Sequence, residues 1–375
     1  MNILVIPTTD WTRHPVPNRL NFIFDSIAER HKVFVLHFQL KKFQKNLPRE
    51  TKCQLVPSGP IRIDDPSLYY LLNAPFHLAS LKKIVKKEKI DVILSANILP
   101  SFIANGTGVP IVFDYLDHLE ESASVYYPDS LIGSVIQKAV RVVTRFNLRH
   151  ATRVITVTTE LKEYLEGTAV ENISVIPNGV DTSLVRPVGK NEAKRSLGLE
   201  GKTVIGYVGS LEYWVDLETA VQALPELPGM ILLVVGPGLF TDYGTYLSRL
   251  AEESGVKDRV IFTGAIPYEE INRYISAMDV GLNPLKKMKK NEYAAGGKVF
   301  NYLSCGRPVL SSRMVSLERL LGDELFYYDD VPSFIAQVNK IFSRPQQEEQ
   351  YREIALRYDW KNLAKTYESV LGDAL

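Results

Sequence analysis

Short uninterrupted apolar runs, each followed by a polar loop and then a stretch of helical periodicity, recur along the chain and restrict its fold more than any other feature. Residues 3–6 read Ile-Leu-Val-Ile, and residues 33–38 form a second run. Between them lie a polar loop over 8–18 and a segment where Leu20, Phe24, Ile27 and Ala28 recur at helical spacing. A strand that is apolar along its whole length is buried on both faces, as strands are in a parallel sheet covered by helices. The pattern continues with a helix over 68–89, strands at 91–94 and 111–113, a helix over 131–148, and strands at 153–157 and 173–176. A polar segment over 182–202, with Pro187, Gly189, Gly198 and Gly201, reads as a hinge carrying a short helix. The pattern then restarts at 204–208 and runs through 280–282. Two such sets predict an α/β chain of two doubly wound domains facing a cleft, toward which the loops after the strands gather. A length of 375 residues also exceeds what one core usually supports.

Composition narrows the function classes. Apolar content of 45% and charged content of 23% are ordinary for a globular protein, and a net charge of +1 gives no reason to expect nucleic-acid binding. Cys53 and Cys305 are far apart and form no metal-binding cluster, which points to a reducing compartment and away from a disulfide framework. The first residues show no basic leader, and no apolar run approaches transmembrane length, so a cytoplasmic location is expected. The lysines at 82, 83, 86, 87 and 89 share a helix with Leu78, Leu81 and Val85. Such a run is most often a solvated face; the other reading is peripheral contact with an anionic membrane.

Residues 291–310 concentrate the features of a ligand site. Gly296 and Gly297 allow a tight turn and a close ligand approach, and a helix beginning near Lys298 points unpaired amides into that loop. Helix starts attract phosphates, and Lys298 adds a full positive charge. Gly306 suits a left-handed helix stop and Pro308 prevents resumption. Glu292, Lys298 and Asn301 are expected at one mouth. The loops at Gly209-Ser210, Gly236-Pro237-Gly238 and Gly264 also carry glycine, although none is a GxGxxG or GxxxxGK[ST] motif. In the first half, Arg13, His14 and Arg19 are candidates to line the crevice after the first strand. Asp117 and His118 follow the strand at 111–113, where a proton acceptor or a sugar hydroxyl partner would sit.

Several separated stretches together resemble the group 4 glycosyltransferases. They are Ile176-Pro177-Asn178-Gly179-Val180-Asp181, Ile205-Gly206-Tyr207-Val208-Gly209-Ser210-Leu211, Lys298-Val299-Phe300-Asn301-Tyr302-Leu303 with Cys305-Gly306-Arg307-Pro308-Val309, and Tyr358-Asp359-Trp360. The resemblance implies the GT-B fold: two Rossmann-like domains facing a cleft, with a C-terminal helix crossing back to the first. The expected divisions are 1–186 on the acceptor side, 187–355 for the nucleotide-sugar, and a closing helix over 356–375. It also implies sugar transfer with retention from a nucleotide diphosphate sugar to a glycan or lipid-linked acceptor, at the inner face of the membrane where the acceptor is lipid-linked. The nucleotide-sugar is a substrate; no cofactor and no metal are expected. By the same resemblance, Gly209, Ser210, Gly236, Gly296, Gly297, Lys298 and Asn301 bind the donor, and Asp117, His118 and Glu292 are the catalytic candidates. The chain departs from the family at several of these positions. Asn301 falls where the family has a ribose-binding glutamate, Tyr293 where it has a second glutamate, and Ser210 and Val215 where it has an arginine and a lysine. Leu116 falls where it has a histidine. Lys298 must then be helped by Lys286, Lys287 or Arg13. These departures keep open a non-catalytic nucleotide-sugar-binding subunit and a GT-B epimerase as alternatives.

Overall fold

The computed structural model describes residues 1–117, 131–238, 241–288, 291–294, 296–345 and 347–375, and the chain divides into two compact units. One comprises Met1–Pro177 with Trp360–Leu375, and the other Asn178–Asp359.

In chain order the first unit contains β1 (Asn2–Ile6), α1 (Arg19–Ile27), β2 (Lys32–His37), β3 (Gln54–Pro57), α2 (Pro66–Leu72) and α3 (Ala74–Glu88). It continues with β4 (Val92–Ser95), α4 (Ile98–Ala104), β5 (Ile111–Tyr115), α5 (Leu131–His150), β6 (Arg153–Thr156), α6 (Thr159–Glu166) and β7 (Ile173–Val175). Among the described residues these strands form one seven-stranded parallel sheet in the order β3-β2-β1-β4-β5-β6-β7. The strand runs are continuous because alternate residues bury on opposite faces. Ile3 and Val5 join a core with Leu20 and Phe24 of α1, whereas Leu4 and Ile6 join one with Tyr69, Leu81 and Ala104. The expected single helix over 68–89 is two, α2 and α3. They meet at Asn73, whose buried side-chain amide donates to the carbonyls of Ile61 and Tyr69, and Pro75 follows in the next helix's first turn.

The second unit contains α7 (Lys190–Ser196), β8 (Thr203–Val208), α8 (Leu217–Ala223), β9 (Met230–Val235), α9 (Tyr243–Glu253), β10 (Val260–Phe262), α10 (Ile271–Ala277) and β11 (Val280–Asn283). It is completed by α11 (Lys298–Ser304), β12 (Val309–Ser312), α12 (Val315–Leu321), β13 (Phe326–Tyr328), α13 (Val331–Phe342) and α14 (Glu348–Arg357). Its described strands form a parallel sheet in the order β10-β9-β8-β11-β12-β13. One face packs on α10, α11 and α14, the other on α8, α9 and α13.

The last helix, α15 (Trp360–Gly372), belongs to the first unit. Leu363, Tyr367 and Leu371 bury against the α1 side of its sheet. A buried polar knot fixes this helix. The Tyr367 hydroxyl donates to Asp114 Oδ2 at 2.7 Å, and the Arg19 guanidinium lies over the Tyr367 and Trp360 rings while donating to the Ile176 carbonyl at 2.9 Å.

The divisions fall at Pro177 and Asp359 rather than at 186 and 355. Val180 and Val185 bury in the second unit's core, the Val180 amide donates to the Tyr358 carbonyl, and the Thr182 amide and hydroxyl both donate to Asp359 Oδ2. Tyr367→Phe removes the hydroxyl that satisfies a fully buried carboxylate. It is expected to lower stability by about 1–3 kcal/mol, read by denaturant unfolding with the other circular-dichroism features of the native chain retained.

Candidate functional site

The C-terminal ends of β8, β9 and β10 are drawn together by backbone hydrogen bonds, and the approach at Gly236 is one that only glycine permits. The Gly209 amide donates to the Val235 carbonyl at 2.9 Å, the Gly236 amide to the Gly264 carbonyl at 3.1 Å, and the Leu211 amide to the Pro237 carbonyl at 2.9 Å. Gly236 has φ +129°, and a Cβ there would lie 2.1 Å from the Gly209 carbonyl oxygen. The glycines read from the sequence as phosphate-approach positions therefore also hold the three loops to one another.

Helix α11 is tied to this end of the sheet. The Val208 amide donates to the Tyr302 hydroxyl at 2.8 Å. Gly281 of β11 makes room for the Tyr302 ring, since a Cβ there would sit 2.3 Å from it. That anchorage sets the first residue of α11, Lys298, beside β8: its ammonium stands 4.7 Å from the centre of the Tyr207 ring. The Tyr207 hydroxyl in turn donates to the Ser210 carbonyl at 2.7 Å. Lys298 is half-buried and pairs with no carboxylate among the described residues, and burial pulls its pKa down to about 8. Gly296, with φ +49°, and Gly297 lead into the helix, whose start carries no side-chain cap. Asn301 lies one turn on from Lys298, and its side-chain amide makes no hydrogen bond among the described residues. Lys298, Asn301, Gly209, Ser210 and Gly236 thus come together in the second unit.

Other expected residues are placed differently. Lys286 pairs with Glu218 at 2.6 Å and lies against the Tyr243 ring, and Lys287 pairs with Asp329 at 2.9 Å. Val215 is buried beside Leu285. Glu292 is exposed and opens on a pocket of about 570 Å³ that it lines with Lys287, Met288, Arg313, Met314 and Val315 but without Lys298.

In the first unit, Arg13 fastens its loop, donating through Nη1 to the carbonyls of Gln44 and Asn46. His14 Nδ1 lies 2.7 Å from the Val16 carbonyl and its ring meets Phe43 edge-on; burial holds the imidazole below its usual pKa. Arg19 is inside the protein in the Asp114–Tyr367 knot and does not line a crevice. Asp117 is half-buried just beyond β5, and His118 lies outside the described residues.

Two arrangements escaped the sequence reading. Asp10 accepts from the amides of Thr12 and Arg13 and faces His37 at 3.4 Å; burial works against its ionisation, but the His37 and backbone hydrogen bonds prevail and lower its pKa. Glu212 is fully buried after β8 and accepts from Thr241 at 2.9 Å. A carboxylate stands in the loop where the family places cations, and nothing in the local apolar pattern announces that it turns inward.

Family comparison assigns both units. Residues 25–184 match the family described as Glycosyltransferase Family 4, and residues 202–344 match Glycosyl transferases group 1. The chain belongs to these glycosyltransferases. It is 32% identical over 259 residues to the 2-deoxystreptamine glucosyltransferase of Streptomyces kanamyceticus, covering 64% of each chain. It is 27% identical over 201 residues to the putative teichuronic acid biosynthesis glycosyltransferase TuaH of Bacillus subtilis, covering 52% of this chain and 49% of that one. The match thus spans about half to two thirds of these curated relatives. Among solved structures, the sucrose-phosphate synthase of Thermosynechococcus elongatus superposes with a TM-score of 0.76 at 18% identity over 99% of this chain and 98% of that one. Anabaena HepE, solved in complex with UDP, gives 0.74 at 18% identity over the whole of both. This glycosyltransferase therefore has the GT-B fold.

Gly236→Ala combines a backbone clash with an unfavourable φ in this chain. It is expected to cost roughly 2–4 kcal/mol of stability, with a lowered unfolding midpoint by calorimetry; an unchanged midpoint would show that the loops are not held as described.

Proposed function

We propose that this glycosyltransferase moves a sugar, with retention at the anomeric carbon, from a nucleoside diphosphate sugar to a glycan or lipid-linked acceptor. The observation that carries the reading is the half-buried Lys298 ammonium, seated on Tyr207 at the glycine loops and paired with no carboxylate among the described residues. A cation withdrawn from water in this way is poorly compensated, and a diphosphate supplies the missing negative charge. Lys286 and Lys287 are already paired, so Lys298 takes the larger share of neutralising the leaving diphosphate. Asn301, one turn along, is the proposed partner of the ribose hydroxyls, donating and accepting without charge. Uridine is the favoured nucleoside, because HepE of the same fold is solved with UDP-glucose.

Asp117 at the end of β5 is the proposed hydrogen-bond partner or proton acceptor for the incoming hydroxyl. Glu292, exposed beside the residues that lead to Gly296, is the proposed carboxylate toward the donor sugar. The charge on the departing group is carried by Lys298 and the neighbouring amides, and the nucleotide-sugar serves as substrate.

Calorimetric titration of UDP, GDP and ADP tests the assignment. UDP is expected to bind best, and Lys298→Ala to weaken it by roughly 10–100-fold, the range of a charge-assisted contact. Equal binding by wild type and Lys298→Ala would refute the assignment. The pH dependence has a definite sign. An anion bound beside Lys298 raises its pKa, so binding takes up a proton once the free lysine has begun to lose its own. Wild-type affinity should therefore fall as pH rises through about 8, and Lys298→Ala should not show that fall.

A further inference from the structure

A pocket of about 630 Å³ opens at the edge of the second unit's sheet, bordered by β13, the turn after α12, and α13. Lys298 and the glycine loops take no part in it. Phe334, Val338 and Ile341 hold one face of α13 in the core. Gln337, Lys340 and Arg344 follow at three- and four-residue spacing and so come together on the pocket side. The Lys340 ammonium and the Arg344 guanidinium stand 6.0 Å and 5.5 Å from the centre of the buried Phe326 ring. Neither pairs with a carboxylate among the described residues. Arg313, by contrast, is held by Glu318 and Asp329.

Two cations on one ring suit a compact group of more than one negative charge. A phosphate is such a group, and the guanidinium fork matches two of its oxygens. The pocket also contains Asp323, exposed in the turn after α12 and forming no ion pair among the described residues. A carboxylate repels a bare anion but accepts from hydroxyls. Cations and an unpaired carboxylate in one pocket therefore select a ligand that carries both an anionic group and hydroxyl donors. Two further atoms of the wall, the Tyr327 hydroxyl and Gln337 Oε1, are closed from solvent and have no hydrogen-bond partner. Buried polar atoms are normally paired, so this wall is more polar than the chain's own contacts require. No aromatic face stands open for a nucleobase among the lining residues. Phe326 is buried beneath its two cations, and Arg313 lies 5.8 Å from the centre of the Tyr327 ring. The volume is that of a small-molecule site.

We infer that this pocket is a second ligand site, which takes a phosphorylated sugar: Lys340 and Arg344 hold the phosphate, and Asp323 accepts from the hydroxyls. The inference is independent of how the donor is held.

Calorimetric titration of glucose 6-phosphate, inorganic phosphate and glucose into the full chain tests it. Glucose 6-phosphate is expected to bind severalfold more tightly than inorganic phosphate, and glucose more weakly than either, because the charge-assisted contacts outweigh those of the hydroxyls. Lys340→Ala with Arg344→Ala should weaken glucose 6-phosphate by at least about tenfold. Asp323→Ala should weaken it severalfold while leaving inorganic phosphate no weaker, since only the sugar loses a partner. Lys298→Ala should bind glucose 6-phosphate as the wild type does, which separates this test from that of the donor site. A cooperative unfolding transition like that of the wild type shows that each variant is folded. Failure of the wild type to bind glucose 6-phosphate overturns the inference. So does binding that survives loss of both cations, and so does equal affinity for inorganic phosphate, which would leave a site for the bare anion only.

Discussion

The hydrogen bond from the Val208 amide to the Tyr302 hydroxyl decides where the charged end of the second unit lies. Without it, α11 would rest on the sheet through apolar contacts alone, which are not directional. With it, the helix start is set against β8, and Lys298 falls on the Tyr207 ring rather than in solvent. Two glycines make the arrangement possible. Gly281 admits the Tyr302 ring against the strand, and Gly236 admits the Gly209 carbonyl. Small residues in this unit thus act by letting larger groups approach, and the position of the cation follows from them.

Much of the architecture was legible because it rests on burial, which the sequence writes as period. The continuous runs at 3–6 and 204–208 are strands buried on both faces, and β1 and β8 are those strands. Lys298 and Gly306 were legible because helix starts and left-handed stops have local chemical signatures; α11 begins at Lys298 and Gly306 has φ +70°. What could not be read was partnership at a distance. Arg19 looks like any loop-edge arginine until Asp114 and Tyr367, far along the chain, close around it. Lys286 looks available until Glu218 takes it. The break at Asn73 depends on that amide bonding back to Ile61, a contact with no periodic trace. The division at Pro177 was hidden similarly, because Val180 and Val185 sit in a polar-looking segment yet bury in the second core.

Charges in this protein are allotted in two ways. In the second unit Lys286 and Lys287 are neutralised internally, by Glu218 and Asp329, whereas Lys298 pairs with no carboxylate among the described residues. In the first unit cations accumulate on one helical layer, almost without acids. The overall balance of +1 conceals both patterns. Net charge describes solubility and long-range steering; ligand chemistry is decided by whether a particular ammonium already has a counterion.

The first unit is built from two stretches of chain separated by the whole of the second, since its α1 face is covered by Trp360–Gly372. During synthesis, residues 1–177 emerge long before the helix that shields Leu20, Ile23 and Phe24. The second unit, contiguous over Asn178–Asp359, can reach its native core while the first still exposes that apolar face. The order of completion is therefore the reverse of the order of translation, and truncations that spare every site residue but remove α15 would leave the earlier-made half as the unfinished one.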